Sequence, residues 1–147
     1  MMMEQSQRSL VINMEILFDT NILLWALFDD ERLPRRIKEK INDETNYIFV
    51  SMASLWEIEI KHNKNPKNMP YSMKQIFNVI VGGTDYKILD IRPEYLIELG
   101  NIIKKGIHSD PFDHIILATA KSEKMTVLTS DSIFEQYINL GIKPIII

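Results

Sequence analysis

The chain has 147 residues, 46% of them hydrophobic and 25% charged, the usage of an ordinary soluble globular domain long enough to bury a sizeable core. No apolar run approaches the ~20 residues of a membrane-spanning helix, and the absence of cysteine excludes disulfides and thiolate metal sites. A formal charge of −3 argues against a protein that grips nucleic acid by overall charge, because that mode depends on Lys and Arg neutralising phosphates.

In chain order, residues 1–13 ("MMMEQSQRSLVIN") hold one basic residue, Arg8, and lack the apolar core and cleavage site of a signal peptide. They read as a loose tail or the product of an upstream start, and a cytoplasmic location is the default expectation. Glu15–Phe18 is a strand that meets a turn at "DTN". Ile22–Leu27 and Pro34–Ile41 are expected helices, with Pro34 acceptable at a first helical position. Tyr47–Val50 is a second strand, running into Ser51 as the N-cap of a helix over Met52–His62. Lys64–Pro70 is a polar loop with two prolines. A helix over Ser72–Val81 closes at Gly82–Gly83, a strand covers Tyr86–Asp90, and helices follow over Pro93–Lys105 and Pro111–Glu123. Thr126–Thr129 and Lys143–Ile147 are the last strands. Strands alternating with helices predict a single α/β domain over residues 14–147, built on a mainly parallel sheet of four to five strands flanked by helices.

In such sheets ligands bind beyond the carboxyl ends of strands, where strand order reverses. Asp19 follows the first strand and Asp131 follows "TVLT", while Glu57 and Asp113 lie on helices among apolar neighbours. Each has a plainer reading alone. Asp19 and Asp131 suit turns, and Glu57 stands four before Lys61 as in a surface ion pair. Asp110, ahead of Pro111, suits an N-cap. Asp113 falls where a capping box places its acid, but also on the core-facing row Asp113–Ile116–Leu117–Ala120. If the acids converge, each pair about 4 Å apart repels by ~1 kcal/mol in water and ~4 kcal/mol near a protein surface. An all-oxygen cluster that must be neutralised suits a hard divalent ion, Mg²⁺ or Mn²⁺, which would also draw phosphate to an acidic protein.

The segments "LFDTNILLWAL", "VSMASLWEIEIK", "DPFDHIILATA" and "VLTSDSIFEQY", in that order and spacing, resemble the PIN-domain ribonucleases, most closely the VapC-type toxins of bacterial toxin–antitoxin pairs. The resemblance runs from about Met14 to Tyr137. It implies catalytic and metal-binding roles for Asp19, Glu57, Asp113 and Asp131, with Asn21 and Thr129 as supporting polar residues. It further implies Mg²⁺- or Mn²⁺-dependent RNA cleavage, homodimerisation and restraint by a small antitoxin. Two departures are His114, where arginine is common, and "KHNKNPKNMP" in place of a glycine-containing turn. A haloacid-dehalogenase phosphatase would need an aspartate where Asn21 stands, and a response-regulator receiver would need an acidic pair before Asp19. The remaining rival is a PIN-like domain that binds RNA or a protein without cutting.

For RNA contact, Lys61 and Lys64, with His62 and Lys67, form one basic stretch, and Lys104, Lys105 and His108 form another. Either could equally be a solvated face. His62, His108 and His114 are expected to be surface or structural residues, and Trp25 and Trp56 core residues. No aromatic stacking partner for a base stands out.

Overall fold

Alternation along three short strands decides the layering. A computed structural model describes residues 13–147. Its strands are Met14–Phe18 (β1), Asn46–Ser51 (β2), Lys87–Leu89 (β3), Thr126–Thr129 (β4) and Lys143–Ile146 (β5). Successive strand side chains point to opposite faces. Ile16, Phe18, Ile48, Val50 and Leu128 therefore enter one buried cluster, and Leu17, Phe49 and Val127 enter another. The sheet is apolar on both sides and must be covered on both.

The first face is covered by helices Thr20–Leu27 (α1), Arg35–Asn42 (α2), Met52–Lys64 (α3) and Met73–Gly83 (α4), through Ile22, Leu23, Ile37, Ile41, Leu55, Ile58, Ile76 and Ile80. The second is covered by Pro93–Lys104 (α5), Pro111–Glu123 (α6) and a 3₁₀ segment, Ser132–Leu140, through Tyr95, Ile102, Ile116, Leu117, Phe134 and Tyr137. Tyr95 donates its hydroxyl to Glu123 at 2.9 Å, and Lys121 pairs with Glu98, so α5 and α6 are tied together at their rims.

All four strand pairings are parallel, in the order β3-β2-β1-β4-β5. The expected α/β architecture is the one observed. β1 is the strand at which order reverses, since β2 lies on one side of it and β4 on the other. The crevice beyond the carboxyl ends of β1 and β4 is thus the place for a ligand.

Several expected boundaries move, each for a local reason. α1 begins at Thr20 rather than Ile22 because Asp19 caps it. Pro34 is the N-cap of α2, not its first helical residue. Ser72 forms a capping box with Gln75, and Gly82–Gly83 complete the last turn of α4 instead of following it. The 3₁₀ segment is an element that the sequence pattern does not announce. The tail expected over residues 1–13 lies outside the described residues except for Asn13, whose amide donates to the Thr45 carbonyl at 2.8 Å. Among the described residues no helix is long and apolar enough to cross a membrane.

Candidate active site

Asp19 leaves β1 directly into α1, and its backbone amide still donates to Leu128 of β4, so the turn is anchored to the neighbouring strand. Its side chain has two jobs. Oδ1 accepts from the Ile22 amide at 2.9 Å, an N-cap, and Oδ2 accepts from the Thr129 hydroxyl at the end of β4. The turn reading of Asp19 therefore holds, yet the residue is only 5% exposed. Burial raises the Asp19 pKa; the bonds from Thr129 and Ile22 oppose this, and the charge of Asp131 adds to it.

Thr129 links two acids. Its hydroxyl donates to Asp19 and accepts from the Asp131 amide at 3.0 Å. Asp131 caps the 3₁₀ segment through the Ile133 amide at 3.0 Å, and its side chain is exposed.

Glu57 is carried in by α3 and is 6% exposed. The surface ion pair expected with Lys61 forms at 2.7 Å, but on a buried carboxylate. The other Glu57 oxygen accepts from the Thr20 hydroxyl at 2.6 Å, with the Ser54 hydroxyl 3.0 Å from Thr20. The polar residue of "DTN" that bonds Glu57 is thus Thr20. Asn21, expected in that role, is exposed. A one-residue rotation of about 100° separates the two, and only the buried one meets α3.

Asp110 caps α6 as expected, accepting from the amides of Phe112 and Asp113 at 2.9 and 3.2 Å. Asp113 sits in the first turn. Its row does face inward, for Ile116, Leu117 and Ala120 are buried. The Asp113 carboxyl is pushed up to about 7, first by burial and then by the charges of Asp110, Asp19, Glu57 and Asp131. These acids consequently share one electrostatic neighbourhood.

They do not yet form a ligand cage. Among the described residues, no three acidic or histidine side chains stand close enough together to clasp an ion. All four already meet protein groups: Asp19 has Thr129, Glu57 has Lys61 and Thr20, Asp113 has His108, and Asp131 has the Ile133 amide. Among the described residues, Lys61 is the one lysine or arginine paired with any of them. The residue types and the uncompensated charge nevertheless fit a hard divalent ion, since an oxygen-only donor set with like charges in a partly buried site is what such an ion satisfies.

The histidines and tryptophans make contacts that the sequence alone does not reveal. His108 touches one of the acids: its Nε2 lies 3.2 Å from Asp113 Oδ2 and its Nδ1 lies 2.7 Å from the Tyr137 hydroxyl. Burial, and then the Asp113 charge, raise the Tyr137 pKa. His114 is buried and meets the His108 carbonyl at 2.8 Å, while His62 meets the Met69 carbonyl at 2.8 Å. Trp56 corrects the expectation of a core residue. It is 54% exposed, because Leu55 and Ile58 take the inward face of α3. Its ring stands edge-on to Phe112 at 5.0 Å, an aromatic pair between the helices that carry Glu57 and Asp113. Trp25 is half-buried against the core, with the Arg32 guanidinium 4.7 Å from its ring centre.

The four acids line neither of two grooves on the molecule. One groove, of about 600 Å³, is lined by residues including Asp43, Asn46, Thr84 and Tyr86, from the segments that lead into β2 and β3, at the opposite end of the sheet. A second, of about 560 Å³, is lined by Ile103, Gly106, His108, Ser109, Pro111 and His114, beside the start of α6.

The sheet order, the crevice at β1 and β4 and the acids beside it define an α/β domain with an acidic site at its switch point. The PIN domain family matches residues 16–139, and the chain belongs to that family. Among curated proteins none matches the sequence. Solved structures similar to it include VapBC2 from Rickettsia felis bound to a promoter DNA fragment, at 18% identity and TM-score 0.68, covering 91% of this chain and 99% of that one. DNA-bound VapBC from Salmonella typhimurium is 22% identical, with TM-score 0.66 and coverages of 90% and 97%. VapBC-5 from Mycobacterium tuberculosis, of the VapBC family of toxin–antitoxin systems, is 14% identical, with TM-score 0.60 and coverages of 90% and 98%.

Proposed function

We propose that this chain is a divalent-metal-dependent ribonuclease and the toxin of a toxin–antitoxin pair. The observation that carries the reading is Asp113: a partly buried carboxyl raised to about 7 by burial and by four acidic neighbours. Like-charged carboxylates held together beyond the carboxyl ends of β1 and β4 are an arrangement that a bound cation neutralises. The membership of the PIN domain family and the likeness to VapBC assemblies support the same reading.

Asp19, Glu57, Asp113 and Asp131 would hold Mg²⁺ or Mn²⁺. When bound, such an ion polarises a phosphoryl oxygen and lowers the pKa of a water at neutral pH. The protein's own share is positioning. Thr129 and the Ile22 amide fix both oxygens of Asp19, and Thr20 and Lys61 fix both oxygens of Glu57. These bonds orient carboxylates that would otherwise turn apart under mutual repulsion. Lys61 and Lys64 lie in the last turns of α3 and offer cations to an RNA backbone. Trp56 and Phe112 offer the aromatic surface on which an unpaired base stacks, which favours single-stranded RNA.

Exposed apolar side chains supply surface for protein partners: Phe28 stacked on Tyr71 at 4.6 Å, with Val79 and Val81 on α4, and Leu96, Ile97 and Ile103 on α5. A small antitoxin and a second copy of the chain are the partners assigned to them.

A second reading, a PIN domain that binds RNA without cutting, draws on one observation: the acids are internally bonded and not drawn into a cage. Incubating single-stranded RNA with the protein in Mn²⁺, in Mg²⁺ and in EDTA separates the two. Cleavage that needs metal and is lost in Asp19→Asn is the expected result. Retained RNA binding with no cleavage in either metal would establish the second reading.

A further inference from the structure

His108 lies outside the four acids, on the connection between α5 and α6, but its imidazole bridges Asp113 and Tyr137. We propose that His108 is a positioning residue that locks one oxygen of Asp113 through a Tyr137–His108–Asp113 hydrogen-bond relay, leaving the other oxygen aimed for a divalent cation. The proposal rests on the metal-dependent reading above.

The proton directions follow from the donors available. With a cation bound, Asp113 is an ionised carboxylate that only accepts, so the 3.2 Å contact then calls for an N–H on His108 Nε2. In that tautomer Nδ1 carries a lone pair, and the Tyr137 hydroxyl 2.7 Å away donates to it. This fixes the tautomer. It also leaves His108 without a free lone pair, so it is not itself a ligand. Such outer partners orient metal-binding side chains and set their basicity.

The relay is held at both ends. Tyr137 is fully buried, in the core cluster beneath α6, and gives a rigid reference point. The His108 backbone is tied down by the buried His114 ring, whose Nε2 meets the His108 carbonyl at 2.8 Å. The His108 and His114 rings meet edge-on with centres 5.0 Å apart. Asp113 has its amide fixed by the Asp110 cap. The carboxyl therefore has its backbone set from one side and its Oδ2 set from the other, and only Oδ1 is outside the relay. Asp19, Glu57 and Asp131 each receive a donor from their own neighbourhood. His108 is the corresponding donor for the fourth acid.

The test exploits the geometry of the ring. In His108→Gln the amide nitrogen takes the place of Nε2 and still donates to Asp113. In His108→Asn the amide reaches only the Nδ1 position, keeping Tyr137 and losing Asp113. Mn²⁺ is titrated calorimetrically into RNA-free protein, and each variant is melted without metal. Expected are a Kd within about 3-fold of wild type for Gln and a Kd weakened about 10–100-fold for Asn, the usual loss for an outer partner of a metal site. Tyr137→Phe should weaken binding in the same direction and less. Equal Mn²⁺ affinity in Gln, Asn and wild type, whatever their melting temperatures, would overturn the relay and leave a structural role. Wild-type protein that fails to bind Mn²⁺ would overturn the metal reading, and the relay with it.

Discussion

Replacing Asp113 by Asn should stabilise the metal-free protein, and by an amount that depends on pH. The Asp113 carboxyl titrates at about 7 in the folded chain, against 3.8 for an unperturbed aspartate. Between those values the folded protein keeps a proton that the unfolded chain has lost. Stability then falls as pH rises, because the slope follows the excess of protons bound by the unfolded state, here negative. Below pH 4 both states are protonated and the cost is absent; above pH 7 both are ionised and the cost is complete. Raising a carboxyl that far costs its ionised form ~4 kcal/mol as an upper bound. A side chain that remains 21% exposed retains roughly half of that after solvent screening. Urea denaturation of wild type and Asp113→Asn in EDTA, from about pH 4.5 to 8, measures the difference. The curves should converge at the acid end and separate to roughly 2 kcal/mol at pH 8. Parallel curves, or an Asn variant that is less stable at pH 8, would refute the claim that Asp113 is held against its like-charged neighbours.

Asp110→Ala removes the acceptor of two helix-start amides and should cost about 0.5–2 kcal/mol in urea melts, with RNA cleavage reduced and not abolished. Millimolar Mn²⁺ at about 100 times its Kd should contribute ~2.7 kcal/mol to the native state, seen as a melting temperature higher by roughly 5–10 °C; Asp19→Asn and Asp131→Asn should lose most of that shift. Trp56→Ala should raise KM for single-stranded RNA by about 5- to 150-fold, the equivalent of one stacked base at ~1–3 kcal/mol, while Mn²⁺ binding measured without RNA stays unchanged.

The parts of the site governed by local chemistry are legible in the sequence. The Asp110–Pro111 pair marks the start of α6 because capping and a preset φ act within one turn, and the 3.6-residue period alone turns Asp113 inward with Ile116 and Leu117. On sequence grounds the ion pair and the site are rival roles for Glu57, and the fold joins them: Lys61 pairs with a carboxylate that is already buried. What escapes depends on neighbours far along the chain. Trp56 sits between Leu55 and Ile58 in an apolar run, and only the approach of Phe112 from α6 shows that its face of the helix is open. His108 meets Tyr137 across 29 positions and a 3₁₀ segment, whose apolar residues alternate at spacings that suit several conformations. Thr20 and Asn21 are both small and polar, and the docking of α3 alone chooses between them.

The central strand of the sheet is made long before the strand that completes its pairing. Asp19 ends β1, yet the hydroxyl that fixes it belongs to Thr129, 110 residues later, on the strand that pairs beside it. A ribosome making this chain has therefore displayed Asp19, then Glu57, then Asp113 before β4 and Asp131 emerge to close the crevice. At ~5–20 residues per second, Asp19 waits on the order of 5–20 s for its partner strand, with no assembled site in that time. On the proposed reading, the toxin has no complete acid set until Asp131 has followed Asp19, Glu57 and Asp113. A partner that bound α1–α4 during translation would meet it before it could cut.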